Sequence, residues 1–514
     1  MPDYSIEHIA TVFPIERDAL KSQSNTGQRR DIIKDFSLNT SAHGIPGIAR
    51  SQSFHNRVFW LISFIAFTGI MSYFVITAIL AYYNYPTQTT IDAADQWPQI
   101  FPAVTICNYS PYRYDTIIKR FLNYTNSLNL TNTNDTNTFS KEQVSYISDF
   151  VRSLINRNES LNEFYYPLKD MLIKCVYNGK NCSANDFVSF ISSNYGLCYT
   201  FNAQTSNINN GELHYNNENG ESGLLQLDLY IHSHQYVPYL SNSVSIVTMV
   251  HDNRKLPLVE KLAIRLVPGR RHKLGYTKTI TTFLPPPYTH CSNTVTPEMK
   301  ALYDAFSGAL YDYTIEMCFI AVIQTYVYEQ CGCVDPTEWA ARFVRPFGSS
   351  MVIQSQLCNV TDPCYANASD IFQSTPEIFG TYGSVCGLDC SFIDFPLKIS
   401  SGYAPMEWDI EDIKTFVESS SIPLPSNWST TWRNDIQTNY VALDVVCEST
   451  RVTSYIQQAS ISAVDVVSNI GGQTGLWIGI SFLSLMEVAE MFYRLIRHQV
   501  HLFRRKFKQR NTKH

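Results

Sequence analysis

Two stretches of the chain carry no charged residue over the length a helix needs to cross a bilayer. Val58 to Tyr83 is 26 uncharged residues rich in Phe, Ile and Leu, more than the roughly 20 that span the hydrocarbon core, and it predicts a transmembrane helix over 58–83. It lies too far behind a polar, mixed-charge segment to be a signal peptide. Val466 to Met486 is a second uncharged run, of 21 residues including four glycines and three serines, and predicts a second span over 466–491. Between them the pattern changes several times. FPAVTICN (Phe101 to Asn108) reads as a buried strand. From Tyr112 to Asn194 the reading is helical: Ser140 with Gln143 forms a capping box, and Val144, Ile147, Val151, Leu154 and Ile155 recur at helical spacing. Alternation in Leu224 to Ile231, in Ser243 to Asp252 and in the run ending at Pro268 predicts a central sheet. LPPPYTHC (Leu284 to Cys291) punctuates the chain before a helix over about Thr314 to Gln330, and strands resume near Phe395 to Ile399 and Val441 to Val452.

Composition adds sidedness. Hydrophobic residues make up 45% of the 514 and charged residues 16%, below the about 25% of soluble domains. After Glu490 there are eight basic residues, Arg494, Arg497, Arg504, Arg505, Lys506, Lys508, Arg510 and Lys513, and no acidic one, which places the C-terminus in the cytoplasm by the positive-inside rule. Two spans then put residues 1–57 there too. All 13 cysteines lie between Cys107 and Cys447, as do nine N-x-S/T sequons, so residues 84–465 are expected to be extracellular. The sequons are Asn108, Asn123, Asn129, Asn134, Asn158, Asn181, Asn359, Asn367 and Asn427; all but Asn108 are the glycosylation candidates. Residues 58–493 carry 24 basic and 39 acidic side chains, a net of −15 that favours the approach of cations. There is no basic footprint for nucleic acid.

Three constellations bear on chemistry. Gly471, Gly475 and Gly479 share one helix face, which fits a packing seam; equally, Gly479-Ile480-Ser481 fits a break that offers carbonyls and a hydroxyl to a dehydrating ion. Glu487 and Glu490, roughly 12 and 16 Å further along a helix, cost roughly 2.5–3.5 kcal/mol or more in lipid and so should face water; repeated about an axis they form cation-attracting rings, which favours the ion-coordinating reading. His43-Gly44, before the first span, has no catalytic partner nearby. No HExxH, GxSxG, GxGxxG, Walker A or CxxC motif occurs, so no enzyme class gains support and no cofactor or metal site is expected.

Together His43-Gly44, FPAVTICN, GLCYTFN (Gly196 to Asn202), LPPPYTHC and GGQTGLWIGIS, in this order over nearly the whole chain, resemble the degenerin/epithelial sodium channel superfamily. The resemblance implies a trimer of identical or related subunits, each with two transmembrane helices and a large disulfide-rich α+β extracellular domain: a palm sheet, a finger over about 109–195 and a thumb over about 291–390. It implies a sodium-conducting pore blocked by amiloride, with Gly479, Ile480 and Ser481 as selectivity filter, His43 and Gly44 lining the inner pore with Glu487 and Glu490, and Ser468 at the position whose bulk controls gating. Tyr288 takes the place of a Trp that couples to the top of the first helix, near Tyr82 and Tyr83. By family order the cysteines pair as Cys107–Cys198, Cys175–Cys182, Cys291–Cys390, Cys318–Cys386, Cys331–Cys364 and Cys333–Cys358. A seventh thumb disulfide of the acid-sensing relatives is missing at Val322 and Ser384, and Cys447 remains as a buried free thiol.

Within the superfamily the sequence is most like the FMRFamide-gated branch. An amidated peptide of charge about +2 suits an acidic exterior, and Phe164, Tyr165, Tyr166, Phe187 and Phe190 are candidate pockets for its aromatic side chains, or else core. Acid gating is the first alternative, with constitutive or mechanical gating after it. A two-anchor receptor or ectoenzyme without conductance leaves the filter motif unexplained, and an ATP-gated channel calls for a lysine-rich phosphate site.

Overall fold

The structure, a computed structural model, describes residues 25–205, 212–216, 220–306, 310–346 and 348–511. Lys513 and the first 24 residues of the N-terminal segment lie outside them. The chain divides into two compact units, one formed by both ends (residues 1–87 and 459–514) and one by residues 88–458.

In the unit of the two ends, the first apolar run is a helix, Phe54–Tyr83, about 45 Å long at 1.5 Å per residue. It starts four residues before the expected Val58, because its first turn is polar and Arg57 anchors it by donating to the Ser51 carbonyl at 2.9 Å. The second run is not one continuous helix. It forms Ala463–Ile478 and Phe482–Asn511, bent by 73° at the break. The first of these begins ahead of the expected Val466 because Ser462 and Asp465 make a capping box: Asp465 N donates to Ser462 Oγ at 3.2 Å and Ser462 N to Asp465 Oδ2 at 2.8 Å. Among the described residues one helix alone is long and apolar enough to cross a membrane, and the bent pair supplies a second if counted as one span.

The larger unit is built on two sheets. At the centre of the five-stranded one is Ala103–Asn108, every residue of which is buried, between Ile246–His251 and Gly196–Phe201. The alternation of β-branched and small residues in AVTIC suits a strand packed on both faces. Asn108 is 2% exposed and its amide donates to the Ile231 carbonyl at 2.8 Å; the other eight sequon asparagines are exposed. The eight-stranded sheet centres on a parallel pair, Arg270–Thr282 beside Tyr440–Ala459, in register from Arg270 with Val441 to Thr282 with Ile456 with one slip between Tyr276 and Lys278. Leu225–Tyr230 flanks it antiparallel, and Leu274, Tyr276, Leu227, Leu229, Val441, Leu443 and Val445 join one core.

Two helices, Tyr114–Ser127 and Ser145–Asn156, lie in the segment expected to be the finger. Ile147, Phe150, Val151, Leu154 and Ile155 bury one face of the latter. Only half of the expected capping box exists: Ser140 N donates to Gln143 Oε1 at 2.8 Å, and a tight turn over Glu142–Val144 precedes the helix. The helical reading from Tyr112 to Asn194 fails beyond Met171, since Leu172–Tyr177 and Phe187–Ser192 are strands; their β-branched and aromatic residues alternate between buried and part-exposed, as sheet membership requires. Conversely Val259–Leu262, expected in a strand, is a helical turn before the short strand Ile264–Leu266. In the segment expected to be the thumb, the helix Ile315–Cys331 starts at Thr314, whose Oγ1 accepts from Met317 N at 3.3 Å, and stops at Gly332, whose φ of +72° is the left-handed C-terminal cap glycine permits.

Six disulfides link Cys107–Cys198, Cys175–Cys182, Cys291–Cys390, Cys318–Cys386, Cys331–Cys364 and Cys333–Cys358, the pairs that the family order implies. Val322 faces a cluster with Tyr326 and Phe372, and Ser384 lies in the turn Gly383–Val385, where Phe319 stacks on Phe379 with centroids 5.4 Å apart. Cys447 is free and buried, its sulfur donating to the Ser449 carbonyl at 3.3 Å, and burial raises its thiol pKa. Cys447→Ser should therefore leave the migration of the protein on non-reducing gels unchanged; a disulfide-linked oligomer that vanishes in the variant would be the opposite result.

Candidate functional site

The break in the second membrane run is the chemical centre of the smaller unit. Gly479 N closes the helix by donating to Gly475 O at 3.1 Å, and Ile480 N reaches Thr474 O at 3.2 Å. Gly479 adopts φ +68°, a left-handed conformation that costs an L-residue roughly 1–2 kcal/mol. Ser481 and Ser484 then start the next helix reciprocally: Ser481 N donates to Ser484 Oγ at 3.1 Å and Ser484 N to Ser481 Oγ at 3.4 Å. Irregular backbone of this kind in a membrane segment persists only where other protein or a watery cavity satisfies it.

Here that partner is the N-terminal segment. After the helix Asn25–Asn39 the chain turns through Thr40–Gly44, and His43 N donates at 2.7 Å to Ile478 O, a carbonyl orphaned by the break. The His43 ring lies against Gly479 so closely that a Cβ on the glycine would sit 2.7 Å from it. Gly44, at φ +89°, lets the chain pass Phe64, where a Cβ would come within 2.9 Å. Ser41 Oγ and Ser484 Oγ share a hydrogen bond of 2.6 Å. Glu487 Oε2 accepts from Thr40 Oγ1 and Ser41 N, both at 2.9 Å, and from Ser41 Oγ at 3.3 Å. Beside this knot is a largely apolar cavity of about 450 Å³ walled by Trp60, Phe64, Phe67 and Trp477, with Trp477 stacked 5.9 Å from Phe67.

His43, Gly44, Gly479, Ile480, Ser481 and Glu487, all singled out from the sequence, thus lie together. Glu490 does not share the network. It accepts from Arg494 at 2.6 Å, and Arg494 also donates to Asp35 at 3.0 Å, so its charge is compensated within the chain. Ser468 is exposed on the helix Ala463–Ile478. A Cβ on Gly471, Gly472 or Gly475 would meet no atom beyond its own helix within 4 Å, so the predicted seam of small residues has no partner among the described residues. Tyr82 and Tyr83 pack edge to face at 5.5 Å, with Tyr85 beside both; Tyr288, in the larger unit, closes the proline turn by donating its N–H to Pro285 O at 3.2 Å. Sequence reasoning missed Thr40, Ser41 and Ser484. Ser484 and Glu487 are three residues apart and share a helix face, the one signal that could have drawn attention to them.

The aromatic peptide candidates require correction. Phe164, Tyr165, Tyr166, Phe187 and Phe190 are 0–7% exposed. Phe164 and Tyr165 fill the interior behind the helices Tyr114–Ser127 and Ser145–Asn156, Tyr166 and Phe187 lie in the main core, where Phe187 packs on Phe201, and Phe190 meets Phe306. They are core side chains held by apolar burial, not a surface a ligand reaches.

In its geometry the site is a helix break stabilised by a re-entrant turn, offering backbone carbonyls and serine hydroxyls with a hydrogen-bonded carboxylate one to two turns away; such groups suit a partly dehydrated monovalent cation. Comparison with known proteins agrees. The family described as amiloride-sensitive sodium channel matches residues 36–491. The chain is 25% identical over 493 residues to acid-sensing ion channel 1C of Danio rerio, covering 91% of this chain and 84% of the relative. It is 25% identical to the human bile acid-sensitive ion channel, covering 91% and 86%, and 22% identical to the FMRFamide-activated amiloride-sensitive sodium channel of Cornu aspersum, covering 90% and 83%. The Gly479 break, the His43–Gly44 turn that braces it and a match spanning both lead to one conclusion: the chain belongs to the amiloride-sensitive sodium channel family.

Proposed function

We propose that the protein is a subunit of a trimeric, sodium-selective, amiloride-blocked channel of the plasma membrane, with both termini cytoplasmic, opened by an extracellular FMRFamide-like peptide. The observation that carries the conducting role is the bracing of Gly479 by His43, which holds the filter residues out of a regular helix. Assembly with further copies is supported by the open face at Gly471 and Gly475, small residues at a spacing that lets membrane helices approach closely. The eight exposed sequons suit an extracellular, glycosylated larger unit. Peptide gating is supported by the net acidic exterior and by the name of the Cornu aspersum relative.

Voltage clamp of cells expressing only this chain tests the reading. FMRFamide should evoke an inward current that is carried by sodium and blocked by amiloride; its absence removes peptide gating. Ser468 replaced by a bulky residue should hold the channel open without ligand, and an unaltered channel would refute the assignment of that position.

One observation favours acid gating as a second reading. The Glu338 carboxyl is pushed up to about 7, by burial first and then by the charges of Glu260 and Asp335. Because that value lies above the ordinary 4.5, the stability Glu338 contributes is complete below about pH 4.5 and lost as the pH rises through about 7. Glu338→Gln should therefore flatten the fall in thermal stability of the purified channel between about pH 4.5 and pH 7. If acid alone evokes current in the wild type, the same variant should shift its half-activation pH.

A further inference from the structure

We propose that the arginine-and-phenylalanine end of the peptide binds in a cavity of the larger unit at the junction of the strand Ile246–His251, the first turn of the thumb helix and the return segment after the thumb; this rests on the peptide gating proposed above. The cavity encloses about 660 Å³, within the roughly 300–1,000 Å³ of small-molecule sites. Its walls are mostly apolar: Met249, Leu258, Ile264, Phe283, Phe392 and Phe395. Into it are set four carboxylates, Asp252, Glu316, Asp389 and Asp394, against a single ammonium, Lys255.

Lys255 is committed. Its Nζ donates to Asp389 Oδ1 at 2.5 Å, which leaves Asp252, Glu316 and Asp394. Among the described residues none of these three has a Lys, Arg or His nitrogen within 4 Å; Asp252 Oδ1 accepts only the Arg254 backbone N–H, at 3.0 Å. His251, also in the lining, bonds to Thr105 Oγ1 and to the Asp252 carbonyl through its two ring nitrogens, and burial lowers its pKa to about 4, so it brings no positive charge at neutral pH. Burial raises the carboxyl pKa of Asp252, against the opposing pull of the Arg254 backbone N–H and of the charges of Lys255 and Lys278; Asp394 is the exposed member of the set, and an incoming cation would be drawn to both. An apolar chamber with four carboxylates, three of them without a direct ion pair among the described residues, selects an amphipathic cation. A guanidinium next to an aromatic ring in one short peptide has that chemistry, and an anionic amphiphile does not.

A second cavity, of about 500 Å³ beside Trp339 and Phe343, lacks this character. Its Glu159 already pairs with Arg120 and Arg157, and Arg342 contributes positive charge. The first cavity is also well placed to act on the palm. Asp394 lies in Ser391–Asp394, which pairs with Arg270–Thr282 at Thr279, and that strand runs parallel to Tyr440–Ala459.

The test is the concentration dependence of the FMRFamide-evoked current in Asp252→Asn, Glu316→Gln and Asp394→Asn, singly and combined, with surface biotinylation of each. The combined variant should need about tenfold or more peptide for half-activation, with smaller shifts for each single change, as loss of opposed charges at a recognition surface predicts. Independently, a peptide carrying benzoylphenylalanine in place of Phe should photolabel wild-type channel within residues 249–264 or 392–397. A wild type that responds while the surface-expressed combined variant shows an unshifted response, or labelling confined to other segments, overturns this site and leaves peptide gating standing. A wild type unresponsive to peptide overturns both.

Discussion

Gly479→Ala should abolish the amiloride-sensitive current while the protein still reaches the cell surface. The substitution meets two obstacles at once. The backbone at φ +68° disfavours any L-residue, and the new Cβ would sit 2.7 Å from the His43 ring, closer than side-chain carbons approach one another. Neither the helix end nor the re-entrant turn can yield without breaking the hydrogen bond from His43 N to Ile478 O, so the strain of roughly 1–2 kcal/mol from backbone alone is a lower bound. Whole-cell current normalised to surface protein is the measurement. Gly472→Ala is the matched control: a Cβ there meets nothing within 4 Å, and alanine adds helix propensity of about 1 kcal/mol, so its current should persist.

The largest stability effect should come from Lys255→Met. The ammonium donates to Asp389 and, in a short hydrogen bond, to the Tyr313 carbonyl, while Asp389 Oδ2 accepts from Ile315 N at 3.1 Å in the first turn of the thumb helix. The two side chains are only 18% and 11% exposed. Removing the lysine strands a carboxylate in a poorly solvated site, and breaking one side of a buried pair typically costs about 3–5 kcal/mol. Thermal unfolding of the detergent-purified full channel should fall accordingly. Lys255→Met combined with Asp389→Leu should recover part of the loss, because replacing both partners leaves no uncompensated charge; a double variant worse than the single one would show that Asp389 matters mainly as the acceptor for Ile315 N.

The contrast between these two sites explains what the sequence could and could not convey. Spans announce themselves through uncharged length, so the helix Phe54–Tyr83 was legible to within its polar first turn. The glycines and serines of the second run were equally compatible with a seam and with a break, and what decides between them is the turn at His43, contributed by the opposite end of the chain. The resemblance, and not local spacing, supplied that pairing, as it supplied the cysteine partners. Arg270–Thr282, half of the central parallel pair, escaped notice because Arg271, Lys273 and Lys278 interrupt any apolar run; Arg271 is accommodated by ion pairs to Asp228 and Asp444. The finger aromatics failed for the reverse reason. Side chains suited to gripping a ligand are also the ones that best fill a core, and only burial distinguishes the two.

With the larger unit extracellular, as proposed, the interior position of Asn108 would set a race during biosynthesis. Its sequon is complete, yet the folded strand holds the amide against Ile231 with the residue 2% exposed. An oligosaccharide transferred to the nascent chain before the five-stranded sheet closes would block the pairing of Cys107 with Cys198 from the neighbouring position. On that reading native protein would be the product of chains in which the sheet forms first, and a glycan on Asn108 would label those that lost.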